Sequence, residues 1–275
     1  MNSSLILTNN HKDRDVDFMP IIKFGNHALK IGGILIKAKD SQFNQKTFND
    51  IAAVYRSLQR DDKVAFLLRH GERPSDSWGK ETLLTENGVE QCRIVGAKLQ
   101  GGVASKNQIE AHSTDMYRTQ QTAFYIAEGR GDELWTNFQD VPTANCIDGD
   151  IYYADGVSGL PWEVVAAYAY GELDKYAPYN VDSFKDITTV TNGITELVLS
   201  TLNATDKPLV LFTTHDSALV PFVVHSTKRK LKDLRIWETS KWLNFLAGAA
   251  IILRKNGVTE ICPICGLDSG TMNAY

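Results

Sequence analysis

Val64-Ala65-Phe66-Leu67-Leu68 runs without a break into Arg69-His70-Gly71-Glu72-Arg73-Pro74. Five consecutive apolar residues bounded by polar ones read as a short strand buried on both faces. The chain then delivers a guanidinium, an imidazole and a second guanidinium at the carboxyl end of that strand. Open α/β sheets bind their ligands at this edge. An imidazole between two arginines there suits phosphate: the arginines hold the charge and the ring nitrogen can attack phosphorus.

A histidine after a strand is just as commonly a hydrogen-bonded core residue. The functional reading gains from a second segment of the same design. Pro208-Leu209-Val210-Leu211-Phe212 leads into Thr213-Thr214-His215-Asp216. Parallel strands share one edge for their carboxyl ends, so two such junctions can meet although they lie far apart in sequence.

The intervening chain adds a third junction. Ile109-Glu110-Ala111-His112 is short and strand-like and gives way to Ser113-Thr114-Asp115, residues suited to capping a helix over roughly 115–128. Arg118 falls in the first turns of that helix and points back to the same edge. Elsewhere, 21–38 alternates around Gly-Asn and Gly-Gly breaks and predicts a hairpin. Phe43 to Arg60 has a helical spacing of apolar residues. Thr85 is placed to cap a helix carrying Val89, Cys92, Val95 and Leu99 on its inner face, ended by Gly101-Gly102. A long helix is expected over about 182–203, a shorter one over Ser217 to Val224, and a final strand over Phe245 to Leu253. The first twenty residues read as loose. The pattern predicts an α/β fold, with a mostly parallel central sheet flanked by helices and a small, mostly helical cap. Residues 1–129 and 182–275 form the core in this reading, and 130–181 the inserted cap or lid.

Composition limits the alternatives. The chain has 275 residues, 43% hydrophobic and 23% charged, with a formal net charge of -4. That is an ordinary globular profile with length enough for a substantial core. No basic stripe suggests a nucleic-acid partner. No apolar run is long enough to span a bilayer, so no membrane partner is expected. The first residues lack the basic start and long apolar middle of a signal peptide. The chain as it stands reads as cytoplasmic, or as periplasmic or secreted if a signal has been removed. Oligomeric state is not legible. Four cysteines do not make a disulfide scaffold. Cys92 reads as a small core residue. Cys262-Pro263-Ile264-Cys265 leaves three readings open: inert thiols, a local disulfide, or half of a metal site lacking a second pair.

The chemistry follows from the residue types. Arginine forks match phosphate oxygens and keep their charge. Arg69, Arg73 and Arg118 with His215 would form a clamp aimed at oxygens that gain charge in the transition state. His70 would attack phosphorus and form a phosphohistidine. A hydrogen bond from its other nitrogen to a backbone carbonyl, Gly71 for instance, would fix the tautomer. A carboxylic acid must then protonate the leaving oxygen, which calls for a raised pKa. Asp216 is the first choice; Glu72 and Glu163 are alternatives. As bland readings, Glu72 is a loop residue orienting an arginine, and Glu163 supports a helix amino terminus. Lys80, and Lys228-Arg229-Lys230, could widen a positive rim, though such residues are more often plain surface.

These motifs resemble the histidine phosphatase superfamily. Arg69-His70-Gly71-Glu72-Arg73, then Ser113-Thr114-Asp115-Met116-Tyr117-Arg118-Thr119, then Thr213-Thr214-His215-Asp216 are similar to its acid-phosphatase and phytase branch. The segment from Leu83 to Leu99 is also similar to the family's helix. Glu72 directly after the glycine is shared with the mutase-like branch. The resemblance implies a phosphoglycerate mutase-like core and a phosphomonoester hydrolase acting on a phosphorylated small molecule. It implies His70 as nucleophile, Asp216 as proton donor, and Arg69, Arg73, Arg118 and His215 as phosphate ligands. Glu72, Lys80 and Glu163 are possible rim residues. No metal or other cofactor is expected, since the arginines do the charge work. The alternatives are a catalytically weak phosphate-binding module and a phosphotransfer mutase.

Overall fold

The computed structural model of the chain describes residues 28–31, 34–176, 179 and 181–274. The first half carries β1 (Ala28–Ile31), β2 (Ile34–Ala38), β3 (Asn49–Asp50), α1 (Ile51–Arg56), β4 (Lys63–Arg69), α2 (Glu86–Lys98), β5 (Ile109–Ser113) and α3 (Tyr117–Arg130). Then come α4 (Trp162–Tyr170), α5 (Ile187–Ala204), β6 (Leu209–Thr214), α6 (Asp216–Ser226), α7 (Ile236–Thr239), β7 (Lys241–Leu243), β8 (Ala247–Leu253), β9 (Val258–Cys265) and β10 (Thr271–Asn273).

The main sheet runs β1-β2-β9-β8-β4-β6-β5, with β3 also paired to β9. Its functional part is parallel: β4 pairs with β6 and β6 with β5. On the other side of β4 lies β8, antiparallel to both β4 and β9. The apolar runs that define β4 and β6 divide their side chains by the two-residue period of a strand. Ala65, Leu67, Val210 and Phe212 join a core with residues of α4, α5 and α6. Val64, Phe66, Leu68, Leu209 and Leu211 face the other way, onto α1, α2 and α3. Helices therefore cover both faces, as parallel pairing requires. Ile147, Tyr152 and Tyr153, together with the inner face of α4, pack into the first of these cores. Among the described residues, no helix is long and apolar enough to cross a membrane.

Most expected elements are present, with differences of physical interest. The hairpin appears as β1 and β2, paired from Ala28↔Lys37 to Ile31↔Ile34; the rest of 21–27, like the first twenty residues, lies outside the described residues. The helix expected over Phe43 to Arg60 shrinks to α1, because Asp50 caps it by accepting a bond from Ala53 N at 2.9 Å. Thr85 caps α2 as expected, accepting from Gly88 N at 2.9 Å. Helix α3 has no side-chain cap at all: it begins after Met116. Thr114 and Asp115 are diverted to other partners. Strand β8 is not the last; β9 and β10 follow.

Strand β9 also resolves the paired cysteines. Three positions apart on a strand, they point to opposite faces. Cys262 is buried in the core with α2 and α3, and Cys265 in the core with α4 to α6. Both are free thiols. Burial raises the pKa of each. The inert reading holds, and the disulfide and metal readings fall on this geometry.

Candidate active site

The register of the parallel strands builds the site. Arg69 stands opposite Thr214, and Ser113 opposite Thr213. His70 N donates to Thr214 O at 3.0 Å, and Thr114 N to Thr213 O at 3.3 Å, so the ladder continues one step past the strands. His70 and His215 thus leave the sheet side by side. Their rings stand 5.6 Å apart, nearly edge to face.

His70 is buried. Its Nδ1 lies 2.8 Å from Gly71 O. A carbonyl only accepts, so Nδ1 carries the hydrogen and the lone pair is on Nε2. Burial first, then the charges of Arg69, His215 and Arg118, drive its pKa well below the usual histidine value. The ring is neutral and its free nitrogen is nucleophilic. Gly71 itself is tied down: its N–H donates to Thr122 Oγ1 at 2.9 Å. A Cβ there would come within 2.9 Å of Cys92 Sγ.

His215 is also buried, and burial lowers its pKa to about 4, helped by Arg118. Its Nε2 lies 3.2 Å from Thr114 Oγ1, which in turn is 2.8 Å from Thr119 Oγ1. This is the use made of the threonine that leaves α3 without a cap. Gly149 packs against the other side of the ring, where a Cβ would approach within 3.0 Å.

The three arginines surround this pair. Arg69 is buried, with its Cζ 4.4 Å from the centre of the Phe245 ring. It also donates to Leu243 O and reaches Asp216 Oδ2 at 2.9 Å. Arg118, buried at the start of α3, donates to Gly79 O at 3.1 Å. Burial and the neighbouring charges of Arg73 and Arg69 lower its pKa to about 10. Arg73 lies on Trp78, 3.8 Å from the ring centre, and donates to Pro74 O and Ser77 O at 2.6 and 2.9 Å. Its charge reaches both Arg118 and His215. The structure therefore brings together all of Arg69, His70, Arg73, Arg118, His215 and Asp216.

Asp216 departs from expectation in one respect: a raised pKa was expected of it, and in the free protein its pKa is lowered. Burial pushes it up; Arg69, the Trp242 indole, His215 and the Ser217 amide outweigh that. Its Oδ2 accepts from Trp242 Nε1 at 2.8 Å, and its Oδ1 from Ser217 N at 3.0 Å. It also stands at the amino end of α6, where the helix dipole favours an anion. With donors on both oxygens the group is a carboxylate.

The alternative acids and the rim residues find other employment. Glu72 accepts from Thr85 Oγ1 and Asn87 Nδ2, each at 2.8 Å, and so anchors the amino end of α2 rather than an arginine. Glu163 stands exposed in the first turn of α4, as its bland reading had it. Lys80, itself exposed, pairs with Asp115 at 2.7 Å. Lys228 pairs with Asp40 at 2.9 Å and Arg229 turns to Ala169 O. These two follow the carboxyl end of α6, about 15 Å from its first turn, and do not widen the cradle.

Two participants had no local signal. Trp242 and Phe245 are ordinary in sequence; only the fold shows them against Asp216 and Arg69, and only the fold turns Thr114 onto His215. Among the described residues, no cluster of His, Cys, Asp and Glu could hold a metal ion.

The comparisons bear on this geometry. No curated protein matches the chain in sequence. Solved structures similar to it include a phosphoglycerate mutase from Bacillus anthracis str. Sterne, at 16% identity and a TM-score of 0.43, covering 76% of this chain and 95% of that one. A mycobacterial glucosyl-3-phosphoglycerate phosphatase is similar at 17% identity and a TM-score of 0.42, covering 78% and 100%. A phosphoserine phosphatase variant from Entamoeba histolytica is similar at 15% and 0.41, covering 72% and 94%. Residues 65–140 match the histidine phosphatase superfamily profile for branch 1. That match gives no support to the acid-phosphatase branch that the motifs resembled. It spans the Arg69-His70-Gly71 turn, Arg73 and Arg118, so this stretch of the chain is similar to the histidine phosphatase superfamily.

Proposed function

We propose that the protein is a phosphomonoester hydrolase that works through a phosphohistidine on His70. One observation carries this reading. A neutral imidazole, its tautomer fixed by Gly71 O, stands within the electrostatic reach of Arg69 and Arg118 at a strand-end edge. A structural histidine needs no guanidinium cradle, and a mere anion site needs no nucleophilic nitrogen held bare of protons.

In the first step the Nε2 lone pair attacks phosphorus, and the bond to the ester oxygen breaks. The departing oxygen keeps the electron pair. Arg69, Arg118, Arg73 and His215 stabilise the three equatorial oxygens, which carry the charge of the transition state. In the second step water attacks the phosphohistidine and the N–P electron pair returns to Nε2. Asp216, as a carboxylate, takes the proton of the attacking water and then passes it to solvent. The substrate is a phosphorylated small molecule.

The test is release of inorganic phosphate from para-nitrophenyl phosphate, with trapping of labelled protein in an alkaline detergent quench. We expect turnover and a base-stable, acid-labile phosphoprotein. His70→Ala should lose roughly 10³-fold or more in kcat and all labelling. Wild-type rates in His70→Ala would remove the nucleophile, and no release from any phosphomonoester would leave only an anion-binding module.

A further inference from the structure

Among the described residues, Trp78 is the most exposed of the large aromatic side chains, with 61% of its surface open. Its place is unusual. Its neighbours on either side, Ser77 and Gly79, have their carbonyls held by Arg73 and Arg118 respectively, at 2.9 and 3.1 Å. One face of the indole lies on the Arg73 guanidinium. Two arginines of the phosphate cradle thus fix the backbone around Trp78, and Arg73 stacks on its ring, while most of the side chain stays open to solvent.

A second, independent observation concerns the leaving group. Both oxygens of Asp216 already accept hydrogen bonds, from Trp242 Nε1 and Ser217 N, and Arg69 pairs with it. A carboxylate so held is anionic in the free protein, so it must first gain a proton before it can give one to a departing oxygen. An alkoxide needs that proton. A phenolate, whose parent acid has a pKa near 10, needs it far less.

From these two observations we infer that the site selects phosphomonoesters of flat aromatic alcohols, with Trp78 as the surface on which the aromatic leaving group stacks. The inference rests on the phosphatase reading above and narrows its substrate class. The stack places the ring beside Arg73, one of the arginines of the cradle. The P–O bond breaks with its electron pair on the phenolate, which collects a proton from solvent. The open face of Trp78, already positioned by Arg73 and Arg118, needs little rearrangement to receive a ring, so the contact carries a low ordering cost.

The experiment uses phenylphosphonate and methylphosphonate, which have no scissile ester bond, with calorimetric titration of the intact protein. We expect phenylphosphonate to bind roughly three- to tenfold tighter than methylphosphonate. That ratio should fall to about one in Trp78→Ala and recover in Trp78→Phe. In parallel, kcat/KM for phenyl phosphate should exceed that for ethyl phosphate in the wild type, with the ratio reduced by Trp78→Ala. Equal binding of the two phosphonates, or a ratio indifferent to Trp78→Ala, would overturn the inference while leaving the phosphatase reading intact. A ring preference in binding without any phosphate release would overturn the phosphatase reading and leave the contact standing. Failure of both phosphonates to bind would end both.

Discussion

Arg69 Nη2 and Asp216 Oδ2 lie 2.9 Å apart, joining the carboxyl ends of two parallel strands by an ion pair at the floor of the cationic cradle. The Arg69 side chain is almost fully buried and that of Asp216 largely so. The pair holds the guanidinium in place and keeps a negative charge beside the anion site.

Asp216→Asn separates these effects. The amide keeps the shape but removes a charge that opposes a bound anion. Inorganic phosphate should therefore bind about three- to tenfold tighter, measured by calorimetry. Turnover should fall by roughly 10²- to 10⁴-fold because the second step loses its base, with phosphoprotein accumulating in a burst. Stability should drop by about 3 kcal/mol in urea unfolding, since a buried arginine loses its counter-charge. Weaker phosphate binding in the variant would contradict this account of the pair.

Trp242→Phe probes the same carboxylate from the other side. The indole N–H donates to Asp216, and its ring stacks on Trp162 with centres 5.8 Å apart. Phenylalanine keeps a ring and loses the donor. Removing a bond to the charged form raises the Asp216 pKa, so the acid limb of the kcat profile should move to higher pH. The loss of stability should be about 1–2 kcal/mol. A profile that does not move would assign Trp242 a packing role alone.

Acid should unfold the protein through its histidines. His215 titrates at about 4 in the folded chain, below the unfolded value of 6.5, and His70 is depressed as well. Between the folded and unfolded values the unfolded chain binds more protons, so stability falls as pH drops from about 6.5 towards 4. Asp216, also depressed, adds a loss below its unfolded value of 3.8. The melting temperature should decline over this window, and less steeply in His215→Gln. A melting temperature flat from pH 7 to 4.5 would contradict it.

The contact of α2 with α3 depends on two glycines. A Cβ on Gly96 would stand 2.1 Å from Ile126 O, and one on Gly129 2.2 Å from Arg93 O. These are backbone atoms that cannot turn aside. Gly96→Ala should cost about 1–3 kcal/mol and push α3 off the sheet. Arg118 and Thr122 ride on α3, so phosphate affinity should fall with it. An alanine variant of wild-type stability would mean that the helices slide freely.

The sequence by itself determined the strand-end junctions. Unbroken apolar runs at 64–68 and 208–212 can only be satisfied between two covered faces, and a parallel register then aligns whatever follows them. That physical constraint made His70, His215, Arg69 and Arg118 legible as one group, because their positions follow from local pattern plus strand period. The tertiary structure alone decided which charge state each group holds. Asp216 is a carboxylate because Trp242 and Arg69 donate to it from segments that no spacing rule connects. Glu72 is a helix anchor because Thr85 and Asn87 lie above it, and the CPIC cysteines are inert because β9 turns them to opposite cores. Burial and long-range hydrogen bonds set a pKa, and neither is written in the neighbours along the chain.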